Sequence, residues 1–255
     1  VPELGPWKSI LGKISHPKYK TKIGLIGKYV ELHDAYKSIQ ESLIHAGAVN
    51  DAAVEIDWVH SEELTPENIP GRLENLDAML VAPGFGERGI DGKILAARYA
   101  RENNVPYLGI CLGMQIAVIE FARNVLQYKN AHSTEMHLTP PYPVIDLMEE
   151  QKGISDLGGT MRLGAYSCTL KPGTKVQQAY NKQEVSERHR HRYEFNNKYL
   201  PEFENAGMKA VGTNEDTNLV EIMEIEGHPW YVGVQFHPEY SSTGISPHPL
   251  FVDFV

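Results

Sequence analysis

From Thr21 to Val125 short apolar runs alternate with stretches of helical periodicity, and this alternation restricts the chain to a small set of folds. Thr21–Ile26 (TKIGLI), Val54–Val59, Ala78–Ala82 and Tyr107–Ile110 read as buried strands. Between them, Asp34–Ala46 carries Ala35, Ile39, Leu43 and Ala46 on one face and is expected to end on Gly47 as a C-cap. Ile94–Asn103 is helical, and Leu112–Val125 is a strong helix with no Gly or Pro after its first turn. Strands separated by helices are joined by crossovers, which predicts a largely parallel sheet with helices on both faces. Beyond Met161 the strand candidates crowd together: Met161–Leu170, Arg188–Phe195, Lys209–Thr213, Val220–Ile225 and Trp230–Val234. That spacing predicts an antiparallel annex or a mixed edge, with a final helix starting at Pro249. The expected class is α/β, with a mostly parallel central sheet, flanking helices and a smaller antiparallel annex.

The 255 residues suffice for one large domain or two small ones, and no internal repeat divides them. One domain over residues 21–255 is expected. Residues 1–20 are rich in Pro and Lys and place Trp7, Ile10, Leu11 and Ile14 at helical spacing. A linker helix and a surface helix packed on the same domain fit that stretch equally. The chain begins at Val1, not Met, as an excised piece of a longer protein would. A net charge of −9 argues against nucleic-acid binding, which needs a clustered basic surface. No apolar run approaches the roughly 18 residues that span a bilayer, and the N-terminus lacks a secretory core, so no membrane partner is expected. Two cysteines, Cys111 and Cys168, fit a reducing cytoplasm, where a free thiol is either buried packing or a working group.

Pro106–Gln115 (PYLGICLGMQ) separates those two fates. A short strand leads to Cys111 and a helix begins at once with Leu112, an elbow that needs small neighbours such as Gly109 and Gly113. A helix N-terminus carries unpaired N–H groups and a partial positive charge, both of which favour thiolate over thiol. The N–H of Leu112, the residue after the nucleophile, can also face an oxyanion. Most free cysteines are small core residues, and Cys168, in the middle of a strand, is read that way.

Of eleven histidines, His237 has the setting of a base. In Val232–Glu239 (VGVQFHPE) an apolar strand runs to Phe236, His237 emerges, and Glu239 follows two residues on. In an extended segment residues i and i+2 share a side, so Glu239 can take the ring N–H turned away from the thiol. Pro238 stiffens the pair. Most His-x-Glu triplets are structural; the cysteine elbow is what makes this one a candidate.

Gly84–Gly89 spells G-x-G-x-x-G, yet a dinucleotide fingerprint belongs in the first strand–helix turn and is followed by a strand ending in an acid. Here it follows the third strand, and the next strand ends in Cys111. The loop is better suited to supply a second oxyanion donor. Pro83 has no N–H, which leaves Gly84 or Phe85. Arg188–Arg192 alternates three arginines with His189 and His191, which reads as a solvated strand or a substrate contact, not a nucleic-acid site. Together with His132 and His137 these histidines form no evident metal cage.

GICLGMQ, PGFGERG and FHPE in this order resemble the class I glutamine amidotransferases, with a flavodoxin-like core. IGLIGKYVELHDAYKSI, NAHSTE, LGGTMRLG and ERHRHRYE narrow the resemblance to the CTP synthase branch, over nearly the whole chain. The resemblance implies Cys111 as nucleophile, His237 as base and Glu239 as its orienter. It implies a substrate segment Leu112, Gly113, Met114 and Gln115, with Gln115 on glutamine, Glu135 on the α-amino group and Arg192 near the α-carboxylate. A zwitterion is well matched by one carboxylate and one cation. One departure stands out: the family commonly reads P-G-G-F-G where this chain has Ala82-Pro83-Gly84-Phe85-Gly86. The oxyanion N–H is accordingly expected on Gly84, beside Phe85.

The family also implies an N-terminal synthase domain that binds ATP, Mg2+ and UTP, activation by GTP, and a homotetramer. No phosphate loop of the type G-x-x-x-x-G-K-[ST] occurs in this chain, so no cofactor is expected on this domain. The Gly158–Gly164 loop has the glycine content of a lid through which coupling could run. Two other readings fit parts of the pattern: a glutaminase or γ-glutamyl hydrolase of another class I family, and a regulatory module without catalysis.

Overall fold

The computed structural model describes residues 4–147 and 161–255. Its elements, in chain order, are α1 (Gly5–Ser15), β1 (Tyr19–Gly27), α2 (Lys37–Val49), β2 (Ala52–His60), α3 (Ile69–Leu73), β3 (Ala78–Val81), α4 (Ile90–Glu102), β4 (Tyr107–Ile110) and α5 (Leu112–Asn124). There follow β5 (His132–Ser133), β6 (Pro143–Leu147), β7 (Arg162–Leu170), α6 (Lys175–Tyr180), β8 (Glu184–His191), β9 (Tyr193–Phe195), α7 (Leu200–Asn205), β10 (Met208–Asn214), β11 (Leu219–Ile225), β12 (Tyr231–Val234) and α8 (Pro249–Phe254).

Nine strands form one sheet in the order β2-β1-β3-β4-β12-β11-β10-β7-β8. The first five run parallel, and β11, β10, β7 and β8 continue it antiparallel. A second sheet, β5-β6-β9, is small and mixed. The expected α/β class with a mostly parallel sheet and an annex is what the chain adopts. β12 is the junction, parallel to β4 on one edge and antiparallel to β11 on the other. One core, built on α4 and α5, fills one face of the large sheet; a second, built on α2 and α8, fills the other. Between β4 and β12, Tyr107 and Tyr231 lie directly opposite and stack with centroids 4.3 Å apart.

Three local readings are corrected. The segment expected to be helical from Asp34 opens as a 3₁₀ turn, His33–Tyr36, and α2 runs on to Val49. Gly47 is therefore inside the helix. It is glycine for close approach: a Cβ there would lie 2.6 Å from the Ala52 carbonyl oxygen of β2. The chain reverses instead at Asp51, at φ 53°. The strand expected over Arg188–Phe195 is two strands in different sheets, because the chain changes partner at Arg192, from β7 to β6. β1 also starts at Tyr19, ahead of Thr21. α1 lies against α2 with none of its residues buried.

Two glycines set how closely α5 approaches the sheet. A Cβ on Gly113 would sit 2.3 Å from the Val81 carbonyl oxygen, and one on Gly109 would sit 2.6 Å from the Gly113 carbonyl. Both obstacles are backbone and cannot swing aside. Gly113→Ala is expected to destabilise the fold by about 1–3 kcal/mol or more, read as a lower denaturant midpoint. Gly71→Ala, with nothing within 4 Å of the added carbon, is the control and should be neutral or slightly stabilising.

Candidate active site

Cys111 stands between β4 and α5 at φ 52° and ψ −102°, a conformation that a non-glycine residue adopts only when its surroundings force it. Two contacts do so. Its own N–H donates to the Val234 carbonyl of β12 at 2.7 Å, and the Tyr107 hydroxyl donates to the Gly113 carbonyl at 2.7 Å, fastening the first turn of α5. Leu112 opens that helix, so its N–H has no partner within the helix. Cys168 is fully buried in β7, and burial pushes its thiol far above the usual range.

His237 follows β12, whose neighbour β4 ends at Cys111. Its backbone N–H donates to the Arg188 carbonyl at 2.8 Å and its ring stacks on Tyr240, with centroids 5.0 Å apart. Glu239 Oε1 lies 2.7 Å from His237 Nδ1, and both side chains are buried. The expected pairing forms by another route than expected: Pro238–Tyr240 is a 3₁₀ turn, not an extended strand, and the turn brings the carboxylate back to the ring. Since an ionised carboxylate only accepts, Nδ1 carries the proton and Nε2 is left for the thiol. Burial alone would lower the ring's pKa, but the Cys111 sulfur and the Glu239 carboxylate outweigh it and raise it to about 11. The site therefore favours an imidazolium beside the Cys111 sulfur.

Cys111 and His237 open into a cavity of about 480 Å³ that Pro83, Gly84, Phe85, Gln115, Glu135, Met161, Arg190, His191, Arg192, Tyr193 and Tyr240 also line. Of the expected substrate contacts, Gly84, Phe85, Gln115, Glu135 and Arg192 are thus brought to one space. Leu112, Gly113 and Met114 do not line it with their side chains. Leu112 and Met114 are buried in the core, and Gly113 faces β3. α5 turns its apolar side toward the sheet, and Gln115 is the residue of its first turns that lines the cavity. Gly158–Thr160 of the expected lid lie outside the described residues; Met161 lines the cavity and Arg162 begins β7.

The glycine loop is fastened at Phe85 and Gly86. The Gly86 N–H donates to Glu135 Oε1 at 3.0 Å, and Lys28 Nζ donates to the Phe85 carbonyl. Gly86 and Gly89 take φ values of 73° and 75°, open to glycine at little strain. Phe85 is 71% exposed at the rim.

Sequence reasoning missed Gln235 and Lys93. Gln235, fully buried, points Nε2 at Cys111 Sγ at 3.6 Å and accepts from Gln115 Nε2 at 3.2 Å. Its signal was present in VGVQFHPE, where one amide interrupts an apolar strand. Behind the cavity a buried chain of acceptors fixes histidine tautomers. The Tyr193 carbonyl accepts from Gln115 Nε2 at 2.9 Å and can only accept from His191 Nδ1 at 3.2 Å. His191 Nε2 then accepts from His189 Nδ1 at 3.0 Å, which turns His189 Nε2, as an acceptor, toward Glu221 Oε2 3.3 Å away. Burial holds both rings neutral and raises Glu221 to about 7 against the opposing pull of Arg162. The reading of Arg188–Arg192 as a plain solvated strand is corrected at Arg190, His191 and Arg192, which line the cavity.

Among the described residues no cluster of three or more His, Cys, Asp or Glu could hold a metal, and no helix is long and apolar enough to cross a membrane.

The family model of the class-I glutamine amidotransferases matches residues 31–255. The chain belongs to the class-I glutamine amidotransferase family. This amidotransferase is 57% identical over 254 residues to a CTP synthase of Flavobacterium johnsoniae, a match covering all of this chain and 47% of that protein. It is 59% identical over 254 residues to a CTP synthase of Christiangramia forsetii, covering 100% of this chain and 46% of the relative. The amidotransferase thus spans about half the length of the curated relatives it matches. Among solved structures it is similar to the glutaminase domain of the Trypanosoma brucei CTPS with bound acivicin, at 35% identity and a TM-score of 0.86, over 92% of each chain.

Proposed function

We propose that this chain is the glutamine-hydrolysing half of a CTP synthase and releases ammonia through Cys111, His237 and Glu239. The observation that carries the reading is the strained Cys111 elbow opening, with the Glu239-paired His237, into a cavity lined by one acid, Glu135, and by Arg192. The similarity to CTP synthases over the whole chain supports the choice of glutamine and of the wider enzyme.

Glutamine lies with its α-carboxylate toward Arg192 and its α-amino group toward Glu135, whose second oxygen is open to it while Oε1 holds the Gly86 N–H. The Cys111 thiolate attacks the carboxamide carbon, and the resulting oxyanion rests on the N–H groups of Gly84 and Leu112. His237 delivers its proton to the leaving nitrogen, the C–N bond breaks, and ammonia departs from a glutamyl thioester. His237, now neutral, takes a proton from water as it attacks the thioester. Glutamate leaves and the thiolate returns.

In this reading UTP, ATP and Mg2+ belong to an N-terminal synthase half, no residue of this chain serves them, GTP is the activator, and the complete enzyme is a cytoplasmic homotetramer. Phe85, exposed at the rim, and the loop it belongs to are where the two halves would communicate. The test is steady-state ammonia release from glutamine by the 255-residue chain, then by the full-length enzyme with UTP, ATP and GTP. The chain alone is expected to form no CTP and to hydrolyse glutamine about 10²–10³-fold more slowly, the worth of one oxyanion donor held out of place. Equal turnover in both would sink the coupling and favour a stand-alone hydrolase. A panel of γ-glutamyl peptides, refused by the chain, would exclude a γ-glutamyl hydrolase.

A further inference from the structure

α4 presents an apolar stripe to the sheet, with Ile90, Ile94 and Ala97 buried, and on that stripe stands a lysine. Lys93 is 0% exposed. Its Nζ lies 3.3 Å from the Ala82 carbonyl oxygen, at the start of the glycine loop, and 3.9 Å from where a Cβ on Gly84 would lie, behind the cavity wall that Gly84 shares with Cys111. Among the described residues no carboxylate forms an ion pair with it. A methionine or leucine would fill the same volume without desolvating a charge, so packing alone does not account for a lysine here.

We infer that Lys93 is a positioning residue for Cys111: its ammonium holds the Ala82 end of the glycine loop and supplies the counter-charge for the thiolate. The inference rests on the reading of Cys111 as the nucleophile.

The groups that face Lys93 come from three elements. Lys28, past the end of β1, is a like charge; the loop after β3 offers the Ala82 carbonyl; and the elbow before α5 offers Cys111. Burial pulls the Lys93 pKa down to about 7, Lys28 pulls the same way, and Cys111 is the group that favours the ammonium. Coupling between two sites is reciprocal. If the sulfur favours the charged lysine, the charged lysine favours the ionised sulfur by the same amount. Lys28 and Lys93 also divide the loop between them, one holding the Phe85 carbonyl and the other that of Ala82. With both carbonyls drawn to cations behind the wall, the loop carbonyls are kept off the cavity side, where they would repel an oxyanion.

The test uses the 255-residue chain with Cys168→Ala as background, so that one thiol remains. The rate at which iodoacetamide alkylates Cys111 is followed by mass spectrometry from pH 5 to 10, with Lys93 and with Lys93→Met. The expected result is a profile displaced upward by about one pH unit in Lys93→Met, with alkylation at neutral pH about tenfold slower. Melting temperature should not fall, since a buried charge without a carboxylate has been removed. Superimposable profiles would overturn the inference and leave the nucleophile reading intact. A Cys111 that is not alkylated at any pH in the unsubstituted chain would overturn both. Should Lys93→Met fail to fold, the same coupling is read from the other side, by NMR titration of ¹³Cε-labelled lysine with Cys111 and with Cys111→Ala. The Lys93 midpoint is expected to fall when the sulfur is removed; an unchanged midpoint refutes the coupling.

Discussion

Cys111→Ala is expected to abolish glutamine hydrolysis and to abolish labelling by an electrophilic glutamine analogue, while the fold is retained. The side chain being lost is small and buried, and the replacement keeps its Cβ. The backbone bonds that hold the elbow, from the Cys111 N–H to Val234 and from Tyr107 to Gly113, involve no atom of the thiol. Removing sulfur therefore removes chemistry and leaves geometry. Loss of a nucleophile leaves only what binding and the oxyanion donors contribute, a fall of several orders of magnitude. Cys168→Ala should be nearly silent in the same assays, because that thiol is sealed in β7 with its ionisation disfavoured. Persistent labelling of the Cys111 variant at the original rate would show that the nucleophile is elsewhere.

His237→Ala is expected to be the second most damaging change, lowering kcat by about 10²–10⁴-fold, with Glu239→Ala milder by about 10–100-fold. The two differ in what they touch. In the proposed mechanism His237 moves the proton that the leaving nitrogen needs, whereas Glu239 reaches the reaction only through Nδ1, 2.7 Å away. Without the carboxylate the ring keeps its stacking on Tyr240 and its backbone tie to Arg188, so part of its placement survives. What it loses is tautomer control and support for the imidazolium, and the alkaline side of the pH–rate profile should move down. The reason lies in the sign: Glu239 is among the groups raising the His237 pKa, and its removal lets the ring give up its proton at lower pH. Measurement of kcat against pH for both variants checks this. Equal loss at Glu239 would mean that it takes a direct part or that the turn Pro238–Tyr240 collapses without it.

Most of the frame could be read from residues because it depends on local patterns. Strands β3 and β4, and β1 from Ile23 on, are buried on both faces, as parallel strands under two layers of helix must be, and α5 declares itself by a long stretch without Gly or Pro after its first turn. The Cys111 elbow was legible because it needs glycine on both sides, and Gly109 and Gly113 are irreplaceable for reasons of backbone contact. What stayed hidden was decided over long distances. Nothing between Arg188 and Phe195 signals that the chain leaves one sheet for another at Arg192. Gly47 follows an apolar stripe as a cap would, and only the approach of Ala52 shows its other use. Lys93 carries no local sign of its burial, since the groups its Nζ meets, the Ala82 carbonyl and Gly84, lie in the loop after β3. Gln235 was passed over because its neighbour His237 carried the more familiar chemistry. Leu112 and Met114, expected from the resemblance to hold the substrate, keep their side chains in the core, which leaves their backbone for that contact.

The junction strand β12 has a consequence for control. Cys111 directly follows β4, and His237 lies just past Gln235 and Phe236 beyond its ladder neighbour β12, the two strands being joined residue by residue from Tyr231 to Val234. The spacing of those two strands is set by the sheet at about 4.8 Å, and no signal arriving from outside can part the elbow from the end of β12 without breaking the centre of the fold. The glycine loop has no such constraint: it is tied down by a carboxylate and two ammonium groups, all of which can exchange partners. An effector acting on this protein would thus leave the attacking pair permanently cocked and operate on the receiving side, by admitting or withholding a place for the negative charge.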